Sequence, residues 1–128
     1  MAFPRGHKGV EQMILYDIEE KLKEIDPNVY YGIVDGSQRE TVWNYIVFNR
    51  TKIKRGANKA SASDCFDVHI VRENYIPEGL EEQVVAKICE LPGVRLLADD
   101  SQFVQDRKPN TNTVIEILTI SFLRARKT

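Results

Sequence analysis

The chain has little cysteine and no long run of apolar residues. Its two cysteines, Cys65 and Cys89, are too few for a disulfide-stapled secreted fold, and we expect both to be buried and reduced. Residues 1–8 contain no apolar core, so no signal peptide is predicted. No stretch approaches the roughly 18 apolar residues of a membrane span, so no membrane partner is expected. These absences favour a protein that folds in the cytoplasm or joins an assembly built there.

An excess of charge of one sign is also missing. The 18 Lys and Arg residues nearly balance 19 Asp and Glu residues, for a net charge of −1. This balance argues against a protein that coats nucleic acid with its whole surface, although a local basic patch remains compatible with it. The 128 residues, 42% of them hydrophobic, match the size and composition of one domain with its own core. We therefore predict a single domain spanning residues 1–128.

Motifs typical of enzymes are missing as well. The sequence has no glycine-rich phosphate loop ending in Gly-Lys-Ser/Thr, no G-x-S-x-G and no H-E-x-x-H. The best candidate cluster is Cys65, Asp67 and His69, which alternate on a predicted strand and so share one face, an arrangement that suits a metal site or a thiol–imidazole pair. Alternate residues of a strand lie about 6.5 Å apart, however, and no second Cys/His cluster completes a site. We interpret the three as a half-exposed strand face, and predict no catalytic residue, metal site or cofactor.

The hydrophobic pattern predicts two helices and several strands. Helical spacing of apolar residues indicates one helix over residues 8–25 and another over 78–91. Strands are predicted near residues 29–34, 42–53, 64–73, 94–98 and 113–124, whereas 99–112 is polar and is interpreted as a strand end or a loop. The order predicts an α+β fold: one mostly antiparallel sheet with two helices packed on a face, and a long hairpin with a basic loop.

A block of positive charge stands out in this hairpin. Residues 50–59 contain five basic and no acidic side chains: Arg50, Lys52, Lys54, Arg55 and Lys59. The first three alternate and are predicted to share a strand face, whereas Arg55 and Lys59 are predicted in the loop. Such a loop suits contacts with phosphates, or with an acidic partner, because Lys and Arg neutralise a phosphate backbone without reading its sequence. The other interpretation is a solvated loop whose charges prevent edge-to-edge aggregation.

The strand that precedes this block is apolar on both faces. Trp43, Tyr45 and Val47 alternate with the similarly apolar Val42, Ile46 and Phe48. One set can face the core, so we predict that Trp43, Tyr45 and Val47 are covered by a helix or form a subunit interface. Residues 8–26 carry six acids against three bases, and this segregation from the basic block favours oriented, head-to-tail association.

Taken along its length, the chain resembles the tail-terminator (tail-completion, minor tail) proteins of long-tailed bacteriophages. The resemblance rests on the N-terminal amphipathic helix, the long hairpin with DCFDVHIVREN, the helix in ENYIPEGLEEQVVAKICELPGV, and the final strand in TVIEILTISFLRAR. It implies a virion protein without catalytic activity, assembled in the host cytoplasm. It further implies a homo-oligomeric ring, expected to be a hexamer, that caps the tail tube and ends its polymerisation.

The same resemblance implies three partners besides other copies of the chain: the tail tube protein, the head–tail connector protein, and double-stranded DNA passing non-specifically through the ring. Arg50, Lys52, Lys54, Arg55 and Lys59 are then expected in the lumen or at a partner contact. Two alternatives remain open. One is a small α+β nucleic-acid-binding module using residues 50–59, and the other is a head-completion or connector protein of the same phage module.

Overall fold

The computed structural model describes residues 10–34, 42–56 and 61–126, and these ranges form two helices and six strands. The helices are α1 (Val10–Lys23) and α2 (Leu80–Ile88). The strands are β1 (Val29–Tyr31), β2 (Tyr45–Arg55), β3 (Ala62–Glu73), β4 (Val94–Leu96), β5 (Gln102–Arg107) and β6 (Val114–Ala125). The predicted α+β class is confirmed.

All of these strands belong to one sheet in the order β1-β2-β3-β6-β4, with β5 also paired to β6. β1 runs parallel to β2, and every other described pair is antiparallel. β3 lies in the middle and pairs with β2 on one side and with β6 on the other. The predicted long hairpin is therefore β2–β3, and β4 and β5 follow one another along the outer edge of β6.

The main core lies between the two helices and one side of the sheet, which we call the helix face. Buried side chains of the helices pack on alternate residues of the central strands; they include Ile18, Leu22, Val84, Ile88, Phe48, Phe66, Val68, Ile70, Ile120 and Phe122. Phe66 and Phe122 are neighbours across β3 and β6, and their rings stack 5.4 Å apart. Apolar residues that alternate along the strands thus pack against apolar residues at helical spacing on α1 and α2, and the two layers enclose one core.

A partly buried ion pair fixes the end of α1 to the sheet. α1 gives way to a turn before Asp26-Pro27, since proline cannot continue the helical hydrogen-bond ladder. The Asp26 carboxylate accepts a hydrogen bond from the Asn28 backbone and lies 2.8 Å from the Arg72 guanidinium of β3. Arg72 also donates to the backbone oxygen of Tyr45 in β2. One side chain thereby joins the helix end to two strands.

Three sequence-based predictions need correction. The polar interval 99–112 contains a strand, β5, because pairing with β6 stabilises a segment whose own side chains are all exposed. Cys89 is exposed rather than buried, since it follows the last turn of α2; Cys65 is buried as expected. The strand predicted at 42–53 begins at Tyr45 and continues to Arg55, so Arg55 belongs to the strand and not to the loop.

Truncation of Phe122 to alanine is expected to lower the free energy of unfolding by about 3–5 kcal/mol, because it leaves a cavity beside Phe66. Phe103→Ala is the matched control: this ring is 53% exposed, whereas Phe122 is fully buried, and we expect a loss below about 0.5 kcal/mol. Urea unfolding followed by circular dichroism measures both. Equal losses in the two variants would contradict the described core.

Candidate functional site

The side of the sheet opposite the helices, which we call the open face, has a chemistry of its own. Register places Tyr45, Val47 and Asn49 of β2 on this face beside Val71, His69 and Asp67 of β3. At one end it carries a second apolar cluster formed by Tyr45, Val71 and Ile115, with Tyr30, Val34, Trp43, Val47 and Ile117 packed around them. Apolar side chains therefore lie on both faces of β2, as the sequence predicted.

The predicted interface residues Trp43, Tyr45 and Val47 all belong to this cluster. The chain itself covers part of them. The Lys108 ammonium lies 5.8 Å from the centre of the Trp43 ring and forms a 2.8 Å ion pair with Glu73, whose carboxylate also accepts the Trp43 backbone N–H. Lys108 and this second hydrogen bond hold the pKa of Glu73 below its usual range. Trp43 and Val47 remain half-buried, so their contact with another subunit stays a prediction.

The middle of the open face is polar and hydrogen-bonded across three strands. His69 Nε2 lies 2.8 Å from Asn49 Oδ1, and His69 Nδ1 lies 2.9 Å from Thr119 Oγ1. An amide oxygen only accepts, so Nε2 carries the proton and the neutral ring accepts at Nδ1 from the threonine hydroxyl. Burial lowers the pKa of His69, against a smaller opposing effect of Asp67. The lowered pKa and the two hydrogen bonds favour the neutral ring in a single orientation.

The predicted cluster of Cys65, Asp67 and His69 includes the hydrogen-bonded histidine of this face. The three do share one face of β3, as predicted. Asp67 accepts a 2.7 Å hydrogen bond from Ser121, His69 is engaged at both nitrogens, and Cys65 is buried. Within the described part of the chain, no group of three or more His, Cys, Asp or Glu residues is arranged to hold a metal ion. Asp67 and His69 therefore form hydrogen bonds between neighbouring strands of the sheet.

The basic block is split by a bulge in β2. Arg50 pairs with Phe66, but the register shifts so that Lys52 pairs with Cys65 and Lys54 with Ser63. Arg50 therefore faces the helix side, where it donates to the Tyr31 hydroxyl, while Lys52 and Lys54 face the open side. The prediction that all three share one face is wrong, because one extra residue reverses the alternation. Lys59 lies outside the described residues.

Part of the acidic charge predicted for the first helix is neutralised within the chain. Glu24 forms a 2.7 Å ion pair with Lys87, and Asp26 pairs with Arg72. The Lys87 contact lowers the pKa of Glu24 and correspondingly raises that of Lys87. Other carboxylates of the described ranges form no ion pair, among them Asp17 on α1 and Asp99 and Asp100 after β4. As an adjacent pair in the sequence, Asp99 and Asp100 are interpreted as solvated surface, since adjacency alone does not bring two carboxylates together in a cleft, and both are exposed.

Large exposed apolar side chains concentrate along the edges of the sheet. Leu96, Phe103 and Val104 lie on the outer edge strands β4 and β5, whereas Val114 begins β6 and Tyr75 follows the end of β3. On the opposite side are Ile33 and Val42, which flank the connection between β1 and β2, and Ile53 at the far end of β2. β1 pairs only as far as Phe48, so the rest of β2 has no described strand on its outer side. Unpaired strand edges with apolar side chains favour pairing with another chain.

No protein-family model and no curated protein sequence matches this chain. Neither described helix has the length and apolar character needed to cross a membrane.

Protonation of His69 is expected to destabilise the fold. The pKa of His69 in the folded protein lies below the ordinary 6.5, so the unfolded chain binds the proton more readily. The contribution of neutral His69 to the free energy of unfolding is therefore fully present above pH 6.5. It is lost as the pH falls from 6.5 towards the lowered folded value. His69→Gln, which keeps a donor and an acceptor, should flatten the slope of unfolding free energy in that window. An unchanged slope in urea titrations between pH 7 and pH 5 would contradict this role.

Proposed function

We propose that this protein is a structural subunit that assembles into a homo-oligomeric ring and serves as the tail terminator of a long-tailed bacteriophage. In that role the ring caps the tail tube, ends its polymerisation and joins it to the head connector. The observation that carries the proposal is the distribution of exposed apolar groups, which lie along both edges of a single sheet. Two different edges that each favour pairing make a heterologous contact, the type of contact that generates rings.

The order of elements also supports the proposal. The resemblance to tail terminators rests on an N-terminal amphipathic helix, a short strand, a long hairpin, a second helix and a final long strand. The chain has these elements in that order, with β4 and β5 between α2 and β6. Head-completion and connector proteins of the same phage module are also small ring-forming adaptors, so they remain the alternative within this class.

The basic segment of β2 favours a second candidate from another class, a nucleic-acid-binding module. Lys52, Lys54 and Arg55 are all exposed near the tip of the hairpin, where phosphates could reach them. Against this candidate, the sequence pI is about 6.1, below the basic values common in such domains. In a ring, the same side chains would serve non-specific contact with passing DNA or with an acidic partner surface.

Self-assembly is tested by light scattering coupled to size-exclusion chromatography. We expect a mass several times the 14.7 kDa of one chain, with six copies as the expected number. By mass action, raising the protein concentration should populate the assembly further. A mass of one chain across the whole concentration range, with tail tube protein added or not, would contradict the proposal.

The tail role is tested by electron microscopy of phage particles made after disruption of the gene. Without a terminator the tube has no signal to stop, so we expect over-length tubes and heads without attached tails. Complementation with the wild-type gene is the control and should restore tails of uniform length. Joined tails of normal length in the absence of the gene would rule out the terminator function. Normal-length tubes that fail to join heads would instead favour the connector alternative.

A further inference from the structure

One end of the open face carries a row of side chains that reaches across four strands. Lys52 of β2 pairs with Cys65 of β3, and Leu123 of β6 pairs with Arg95 of β4. Cys65 and Leu123 pair with each other, which joins the two halves of the row. Directly paired residues point to the same face of a sheet, so the whole row belongs to the open face. Lys52 and Arg95 are exposed, whereas Cys65 and Leu123 between them are buried.

Lys54 adds a third cation beside this row. It follows Lys52 by two residues and pairs with Ser63, so it lies on the same face and is likewise exposed. Lys52 and Arg95 are separated by three strand spacings, which places their backbones about 14 Å apart. Lys54 lies about 6.5 Å along β2 from Lys52. We call Lys52, Lys54 and Arg95 the basic triad.

The basic triad has no acidic partner among the described residues, since none of its three side chains forms an ion pair there. Asp67 is the next acidic residue along β3 on the open face, and its carboxylate accepts a cross-strand hydrogen bond. Asp64 points to the helix face and forms its ion pair there. Asp99 and Asp100 follow β4, and neither forms an ion pair with Arg95. Three exposed positive charges on one face of the sheet can therefore meet an external anion.

The surroundings of the basic triad favour a phosphate backbone over an acidic protein surface. A specific protein interface usually has an apolar, desolvated centre. Among the described strands, the large exposed apolar side chains level with the triad are Ile53 and Leu96, and both point to the helix face. Binding to a phosphate backbone needs no such centre, because Lys and Arg neutralise the phosphates by charge.

The aromatic side chains of the open face lie far from the basic triad. Tyr45 begins β2, at about 20 Å from Lys52 along the strand, and Trp43 packs near Tyr45. Proteins that bind single strands stack the bases on aromatic rings set along a basic groove. The triad lacks neighbouring rings of this kind on the described strands, so its chemistry fits the backbone of a duplex.

We propose that the basic triad of Lys52, Lys54 and Arg95 binds the phosphate backbone of duplex DNA, with the open face turned towards the duplex. The assignment deepens the DNA contact of the ring proposed above, and it rests on that ring only for placing this face at the lumen. Arg95 lies outside the basic block of the sequence and reaches the surface through pairing of β4 with β6. Arg55, although close to Lys54, pairs with Ala62 and points to the helix face.

Fluorescence anisotropy with a labelled duplex of about 20 base pairs and arbitrary sequence tests the assignment on the purified protein. The logarithm of the wild-type affinity should fall linearly with the logarithm of the salt concentration. Arg95→Gln should lower this slope by about one, and Lys52→Gln with Lys54→Gln by about two. Each lost contact should raise the Kd about fivefold or more near 0.1 M salt.

Two further variants make the test specific for the face. Arg107→Gln, on β5 at the other end of the sheet, is the matched control for Arg95→Gln and should leave the slope unchanged. Arg55→Gln compares the hairpin tip with the open face, and its effect should be smaller than that of Arg95→Gln. Circular dichroism checks that each variant is folded. An Arg107 effect equal to that of Arg95, or a loss in Arg55→Gln without one in Arg95→Gln, would overturn the assignment.

The outcomes also separate this assignment from assembly, which light scattering measures. An assembled wild type that does not bind duplex at about 50 mM salt would overturn the assignment and leave the ring. A monomer that binds duplex through the triad would support the assignment, although the ring would fail. Tighter binding of a labelled single strand of the same length would overturn the duplex contact. Triad-dependent binding of polyglutamate, without binding of duplex, would overturn it in favour of an acidic protein.

Discussion

The central position of β3 is the constraint on which the rest of the structure depends. This strand pairs with β2 and β6 along most of its length, so its alternation determines what each face of the sheet presents. Phe66, Val68 and Ile70 point to the helices and form the core, while Asp67 and His69 turn to the open face and hydrogen-bond across the neighbouring strands. A shift of one residue would exchange these two sets.

Sequence periodicity was sufficient for the helices, the hairpin and the faces of β3, because these elements bury one side and expose the other. It missed β5, whose side chains are all exposed and whose stability comes from pairing with β6. It also placed Arg50 on the wrong face, since the bulge that follows has no signature in side-chain pattern. The existence of β5 and the face of Arg50 both depend on pairing with strands that are distant in the sequence. Local sequence patterns do not show such pairing.

The distribution of charge could also be predicted only in part from the sequence. The near-zero net charge results from cancellation, as the sequence indicated, and part of the acidic charge near the first helix is paired within the chain. Glu24 and Asp26 are neutralised by Lys87 and Arg72 from distant parts of the chain. Asp99 and Asp100, between β4 and β5, form no ion pair among the described residues.

The proposed function requires that copies of this chain close into a ring. Electron microscopy of the purified protein reports both closure and copy number in its class averages. We expect closed annular particles with a central hole wide enough for duplex DNA and six subunits in each. Isolated subunits, or open filaments without closure, would contradict it.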